Sequence, residues 1–311
     1  MKNTFLLPIL FFLNCKTPHN SAVITSNFNQ FIVVLGIAQD AGYPQAYCDK
    51  VCCAAVAEGK EKRQHITCLG IVDKETQQVF MLDATPDFTE QANILRRYLY
   101  DKTKPISGIF LPHAHIGHYT GLMYLGREAV GAASVPVYSM PKMKTFLENN
   151  GPWSQLVALK NIKIMPLVAD SVVVLNKNIK ITPVIVPHRD EFSETVGFSI
   201  ECHGKKALFI PDIDKWGKWQ RDIVAEVGKV DVAFLDVTFY QNGEIPNRDM
   251  SEIPHPFISE TIALFSYKTD KSKIKFIHFN HTNPVMRHTN ERESVLKQGF
   301  GVCTEGEVIG F

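Results

Sequence analysis

Four times along this chain, an apolar run rich in β-branched or aromatic residues stops on a side chain able to bind metal. Ile106 to Leu111 leads to His113, and Ile181-Thr-Pro-Val-Ile-Val-Pro187 leads to His188. Lys206-Ala-Leu-Phe-Ile-Pro211 runs into Asp212, and Lys275-Phe-Ile277 into His278. Short apolar runs of this kind read as buried strands, and open α/β folds gather their binding groups where strands end. A single polar residue at a strand end is ordinarily a cap or a solvated turn. Four in one repeated layout are better explained by a shared site on the rim of an α/β fold.

The first of these ends is also the densest. Leu111-Pro-His-Ala-His-Ile-Gly-His-Tyr-Thr-Gly121 places His113, His115 and His118 within six residues. Imidazole is the commonest metal-binding side chain, and a short histidine-rich tract signals a metal site. An i, i+2 pair at a strand end shares one side of the backbone, and a third histidine three residues on swings in as the chain turns into a helix. A surface cluster would not be bounded by Leu111 and by the apolar run after Gly121.

At 311 residues and 45% hydrophobic content, the chain can bury a substantial core as a single two-layered domain. Lys plus Arg (33) and Asp plus Glu (32) nearly balance at a formal charge of +1, so no basic excess points to nucleic acid. A small-molecule substrate is the expected partner. Strands are expected at Phe31–Leu35, Ile66–Val72, Val79–Asp83 and Asp231–Val237. Helices are expected at Pro86–Tyr100, Tyr119–Val130, Trp216–Val227 and Phe257–Tyr267.

The N-terminus reads differently. Met1-Lys-Asn-Thr carries one positive charge, Phe5 to Leu13 is apolar, and Cys15 follows. Such a run is too short to span a bilayer and suits a signal-peptide core. A cysteine just after it resembles a lipoprotein cleavage site, although Asn14 matches the preferred small residue poorly. The expectation is a lipoprotein signal peptide over residues 1–15, a polar tether over 16–30 and a folded domain over 31–311. The mature protein would then be exported, periplasmic or at the cell surface, and membrane-anchored through a lipid on Cys15.

The ordered set His113, His115, His118, His188, Asp212 and His278 resembles the metal ligands of the metallo-β-lactamase superfamily. Residues 31 to 311 look like one of its branches, the pyrroloquinoline quinone biosynthesis protein B (PqqB) family. The stretches that carry this are Gly42-Tyr-Pro-Gln-Ala-Tyr-Cys48, Leu82-Asp-Ala-Thr-Pro-Asp87, Phe234-Leu-Asp-Val-Thr-Phe239, Ile253-Pro-His-Pro-Phe-Ile258 and Phe276-Ile-His-Phe-Asn-His-Thr-Asn-Pro284. The resemblance implies an αββα sandwich with the site between its halves. It implies one metal set of His113, His115 and His188 and another of His118 and His278, with Asp212 bridging. The superfamily motif is His-x-His-x-Asp-His, and here Gly117 stands at the aspartate. Asp236, Asp214 and Asp190 are candidates to replace that carboxylate.

Zinc, as one or two ions, is the implied cofactor, with iron or manganese as alternatives. The implied activity is hydrolysis of a phosphodiester or related ester by a metal-activated water. Asp212 and His255 are the catalytic candidates, with His255 as general acid to the leaving group or else merely a loop residue. Asp83 either orients a ligand histidine or caps a helix. Two competing readings stay open: a PqqB-like iron-dependent oxidation in quinone-cofactor biosynthesis, and a non-catalytic metal-dependent carrier.

Without Cys15, six of the seven cysteines remain, at 48, 52, 53, 68, 202 and 303. The resemblance implies that Cys48, Cys52 and Cys53, with His281, hold a structural zinc. The family spacing is Cys-x-Cys-x-x-Cys, and Lys50 replaces its middle cysteine here. Free thiols or a disulfide are the alternatives. Cys68, Cys202 and Cys303 lie in apolar runs and are expected to be buried small hydrophobes.

Overall fold

The computed structural model describes residues 26–267 and 271–311. The expected signal segment 1–15, with Cys15, and most of the expected tether lie outside them. Strands β1 (Gln30–Gly36), β2 (Cys68–Asp73), β3 (Gln78–Leu82), β4 (Gly108–Phe110), β5 (Val135–Ser139) and β6 (Ile162–Pro166) belong to the first sheet. The second contains β7 (Val173–Val174), β8 (Ile179–Ile185), β9 (Val196–Cys202), β10 (Lys205–Ile210), β11 (Val232–Asp236), β12 (Ile274–Ile277) and β13 (Gly301–Val302). The final strand, β14 (Val308–Gly310), returns to the first, so the described residues form two seven-stranded sheets, ordered β14-β1-β2-β3-β4-β5-β6 and β13-β12-β11-β10-β9-β8-β7. The helices are α1 (Val51–Ala57), α2 (Phe88–Arg96), α3 (Ile116–Tyr119), α4 (Pro141–Asn149), α5 (Trp153–Ala158), α6 (Ile223–Gly228), α7 (Ile258–Leu264) and α8 (Asn290–Lys297).

Strand β1 shows why this becomes a four-layer sandwich. Successive side chains point to opposite faces of a strand. Phe31, Val33 and Leu35 pack with Phe88, Ala92 and Leu95 of α2 on the outer face. Ile32 and Val34 join Phe198, Phe209, Phe234 and Phe276 of the facing sheet on the inner one. A strand covered on both sides must be apolar throughout, which is why it reads as a run and not as an alternation. The αββα architecture is the one the resemblance implied.

Strand direction then decides where the chain ends of these runs fall. β3 through β6 are mutually parallel, as are β10 through β13. β8 pairs antiparallel to β9, which pairs antiparallel to β10, so β8 points the same way as β10. The C-terminal ends of β4, β8, β10, β11 and β12 therefore meet along one rim.

The helices depart from expectation where tertiary contacts intervene. The expected helix over 119–130 is instead the single turn α3 followed by a 3₁₀ stretch, Thr120–Leu125. Gly121 donates its N–H to Ala84 O at 2.9 Å, and a Cβ there would lie 2.2 Å from Thr85 O, so the backbone is pressed against the 84–85 loop. The expected helix over 216–227 splits into a 3₁₀ turn, Trp216–Lys218, and α6. The Asp222 carboxylate restarts it by accepting from the Val224 N–H at 2.8 Å. The helices expected at 86–100 and 257–267 are the shorter α2 and α7.

His65 ties the end of β1 to the C-terminal segment. Its carbonyl accepts from the Ile37 and Ala38 N–H groups at 2.9 Å each, and its Nδ1 lies 2.9 Å from Glu305 Oε2. The hydrogen bond to Glu305 raises the imidazole above its ordinary value despite burial. A raised folded value means this pair stabilises fully below about pH 6.5 and is lost as pH rises through the folded value. Urea unfolding is expected to show a higher midpoint at pH 6 than at pH 8.5, with Glu305→Gln reducing that difference. An undiminished difference in Glu305→Gln would assign it to other groups.

Candidate metal centre

The rim carries a cluster of imidazoles and carboxylates. His113 follows β4 through Leu111-Pro112, and His115 and His118 flank and enter α3. His188 follows β8, Asp212 follows β10, and His278 follows β12. His113, His118, His188, Asp212 and His278 are all buried. Ring centroids lie 4.4 Å apart for His113 and His115, 4.3 Å for His113 and His118, and 5.7 Å for His118 and His278.

Asp212 sits at the junction. Its Oδ2 is 3.4 Å from His113 Nε2, 3.1 Å from His188 Nε2 and 3.8 Å from His118 Nε2. Three sets have ligand atoms within 4.8 Å of one another and share Asp212: His113, His115, His188 and Asp212; Asp40, His118, Asp212 and His278; and Asp212, Asp236, His255 and His278. Despite this closeness, both ring nitrogens of His113, Nε2 of His118 and His188, and Oδ1 of Asp212 are buried without a well-aligned hydrogen bond. Buried polar atoms are normally satisfied. Donors that crowd together without bonding each other are aimed at a common point, as metal ligands are. The residues present fit a metal.

The opposite ring nitrogens fix that aim. His118 Nδ1 lies 2.7 Å from Asp83 Oδ1, and His188 Nδ1 lies 3.1 Å from Asp214 Oδ1. His278 Nδ1 is 3.0 Å from Thr238 Oγ1 and 3.2 Å from Asp236 Oδ1. Each partner sets the tautomer that leaves Nε2 free to ligate. Burial, reinforced by the charge of His118, pushes His113 down to about 3, so it presents a neutral imidazole. Burial alone would raise Asp212, but the charges of His188 and His255 hold it well below the usual carboxylate range.

His255 is drawn into the same cluster. Its Nδ1 is 3.0 Å from both Asp212 Oδ1 and Asp236 Oδ2, and the residue is buried. It is therefore not an exposed loop residue. Asp236 holds His255 and His278 together from behind.

The carboxylate absent at Gly117 comes from elsewhere in the chain. Asp40 Oδ1 lies 2.9 Å from His118 Nε2 and 3.2 Å from His278 Nε2. A Cβ built on Gly117 would fall 2.6 Å from Asp40 Cγ and 2.7 Å from its Cα. Gly117 is a glycine because Asp40 occupies the space an aspartate there would need. Beyond β1 the chain leaves its own sheet: Ala38 bridges to Phe279, and Gln39 donates to Phe279 O at 2.8 Å. That crossing sets Asp40 beside His278. Of the carboxylates suggested by sequence, Asp214 and Asp236 contact ring Nδ1 atoms, and Asp190 is exposed, 3.8 Å from Lys142 Nζ. Asp40 was missed, although the apolar run from Phe31 to Ala38 ends near it in the same layout as the other four.

A second cluster lies apart from this one. Cys48, Cys52, Cys53 and His281 bring four ligand atoms within 4.8 Å of one another. Cys48 Sγ and Cys52 Sγ are 3.6 Å apart, and the cysteines of the described residues are unbridged. Tyr43 Oη donates to Cys52 O at 2.7 Å, fastening α1 to its neighbours. His281 joins the thiols while His278, three residues earlier, faces Asp40. Cys68, Cys202 and Cys303 are fully buried, as expected.

Two sheets ending in this donor set define a metallo-β-lactamase-type metal site, and a family model described as "Beta-lactamase superfamily domain" matches residues 78–279. The chain belongs to that superfamily. It is a metal-binding protein of this fold, and it is similar to PqqB proteins along most of its length. "Coenzyme PQQ synthesis protein B" of Rhizobium meliloti (strain 1021) is 25% identical over 88% of this chain and 96% of its own. The protein of the same name from Klebsiella pneumoniae is 25% identical over 90% and 97%. Zn(2+)-bound PqqB from Methylobacterium extorquens superposes with a TM-score of 0.75 at 20% identity, covering 90% of this chain and 100% of that one. A "New Diphosphatase from the PhnP Family" superposes at 0.63 with 21% identity, covering 91% and 97%.

The same matches correct one expectation. A signal peptide, a lipoprotein and a membrane anchor through Cys15 find no support in relatives that align along nearly their whole length and are named as coenzyme-synthesis proteins. A short apolar run followed by a cysteine is a local pattern, and it does not distinguish a leader from other apolar segments.

Proposed function

We propose that the chain is a metal-dependent hydrolase that cleaves a phosphodiester or related ester of a small-molecule substrate. The observation that carries this is Asp212, one carboxylate common to the set of His113, His115 and His188 and to the set of Asp40, His118 and His278. Ions held by such paired sets lower the pKa of a bound water and polarise an ester oxygen; zinc suits the histidine and carboxylate donors. Asp40, His118 and His278 supply the second set, and His113, His115 and His188 the first. Asp83, Asp214 and Asp236 hold the imidazoles in the ligating tautomer from Nδ1. His255 keeps its Nδ1 proton directed at Asp236 Oδ2, 3.0 Å away, and its Nε2 is the atom that delivers a proton to the departing alkoxide. Cys48, Cys52, Cys53 and His281 hold a separate structural zinc, a closed set that pins α1 and does no chemistry.

A second reading, a PqqB-like oxidation in quinone-cofactor synthesis, is favoured by the near full-length coverage of the named relatives. Metal analysis and turnover separate the two. Protein purified without added metal is expected to carry zinc at both sets and to hydrolyse bis(p-nitrophenyl) phosphate. A single iron with no phosphodiester turnover would favour oxidation.

The joint replacement of His113 and His115 with alanine is expected to strip metal from this centre and reduce turnover to background. The thermal midpoint should change little beyond the loss of bound metal, because the pair sits at the rim and the sheets keep their core. Full turnover in that double variant would overturn the assignment.

A further inference from the structure

The segment between β8 and β9, residues 186–195, separates two cavities that both reach the metal centre. The larger, of about 600 Å³, lies on the His188 side, and its cations are already neutralised. There Arg221 pairs with Asp170 at 2.6 Å, and Lys218 pairs with Asp214 at 2.9 Å. Glu194 adds a further carboxylate to its lining, beside Asp190, which faces Lys142 Nζ at 3.8 Å. An anionic ester would meet little attraction on that side.

The other cavity, of about 360 Å³, is lined by one carboxylate, Asp40, and one guanidinium, Arg189, with Glu191 Oε2 3.9 Å from His115 Nε2. Asp40 and His115 form its inner end, Tyr119, Phe146 and Phe192 its walls, and Arg189 stands at its side. Arg189 is exposed and makes no ion pair among the described residues. Phe192 is 61% exposed, a large apolar ring left in solvent beside a polar centre. It lies 5.9 Å from Phe146, centroid to centroid, with the rings tilted by 46°. Tyr119 meets Phe146 edge-on at 5.2 Å, so the wall is backed by a packed aromatic cluster.

We propose that this pocket receives a flat aromatic group attached to the reacting phosphoryl ester, so that the substrate is an aryl-bearing or nucleobase-bearing phosphate ester. This rests on the hydrolase reading of the same centre. The volume suits one ring system and not a polymer. Rings prefer offset or edge contacts with other rings, which Phe146 and Phe192 offer at a slant. The guanidinium of Arg189 matches the oxygens of a phosphoryl group in a two-pronged geometry that an ammonium lacks. The ester is thus gripped at the metal-site end by charge and at the outer end by ring contact.

Calorimetric titration of the zinc-loaded protein with phenylphosphonate and with methylphosphonate tests this without turnover. Phenylphosphonate is expected to bind about 10-fold more tightly than methylphosphonate, which corresponds to one aromatic contact plus buried ring area. Phe192→Ala should bring that ratio close to one. Arg189→Ala should weaken both ligands by roughly 10- to 100-fold, the loss of a charge-assisted hydrogen bond. Equal binding of the two phosphonates to the unaltered protein, or a ratio unmoved by Phe192→Ala, overturns the proposal. If bis(p-nitrophenyl) phosphate is cleaved but no aryl preference exists, this pocket assignment fails and the hydrolase reading stands. If the preference exists and depends on Phe192 while no phosphodiester is cleaved, the pocket assignment stands and the hydrolase reading fails.

Discussion

Replacing Asp40 with alanine is expected to release the ion held by His118 and His278 and to lower phosphodiester turnover by more than about 100-fold. That exceeds the roughly 10- to 100-fold loss seen when a partner behind a metal ligand is removed, because Asp40 belongs to the ligand set itself. Without it, one side of the centre keeps only two imidazoles and the shared Asp212. Elemental analysis should show about one ion fewer per chain, with the other set still filled. Gly117→Asp, which restores the superfamily motif, should not help on its own. Its Cβ would press on the Asp40 backbone, with 2.7 Å to Cα, and such overpacking costs about 1–3 kcal/mol. Combining Gly117→Asp with Asp40→Gly should recover much of the lost metal, since the carboxylate then reaches the same point from the other side. Full metal content and turnover in Asp40→Ala would remove Asp40 from the centre.

The thiol cluster carries the second large effect, on stability. Cys48→Ser is expected to release about one zinc and leave the histidine-carboxylate centre filled. A ligand that binds only the folded state stabilises it by about 4 kcal/mol when present at ~1,000 times its dissociation constant. For a domain of this size that is a drop in thermal midpoint on the order of 10 °C. His281→Ala should lose the same zinc, because His281 faces the thiols. Loss of metal from the His278 side in His281→Ala would mean the two histidines serve the opposite sites. Mass spectrometry finding Cys48 in a disulfide would exclude the zinc altogether.

Much of this centre is readable along the chain because its parts obey local rules. Strands buried on both faces appear as apolar runs, and a strand's end is where its next polar residue falls. His113, His188, Asp212 and His278 are thus marked by the residues just before them, and His115 and His118 by their spacing from His113. The helices expected over 119–130 and 216–227 are broken for the converse reason. Gly121 is held by the Ala84 carbonyl and α6 is restarted by Asp222, and neither contact registers in a hydrophobic period.

Sequence by itself determined the strand runs, the residues that close them and the kind of chemistry those residues can perform. Burial and side-chain alternation act between near neighbours, so they leave their record in neighbouring letters. Contacts between segments distant in the chain select which carboxylate completes the second set and bring His255 into the cluster. Asp40 reaches His118 and His278 because the chain beyond β1 crosses to pair with Phe279. That pairing joins residues far apart in sequence. Gly117, seen alone as a missing ligand, is in the folded protein the space that Asp40 fills.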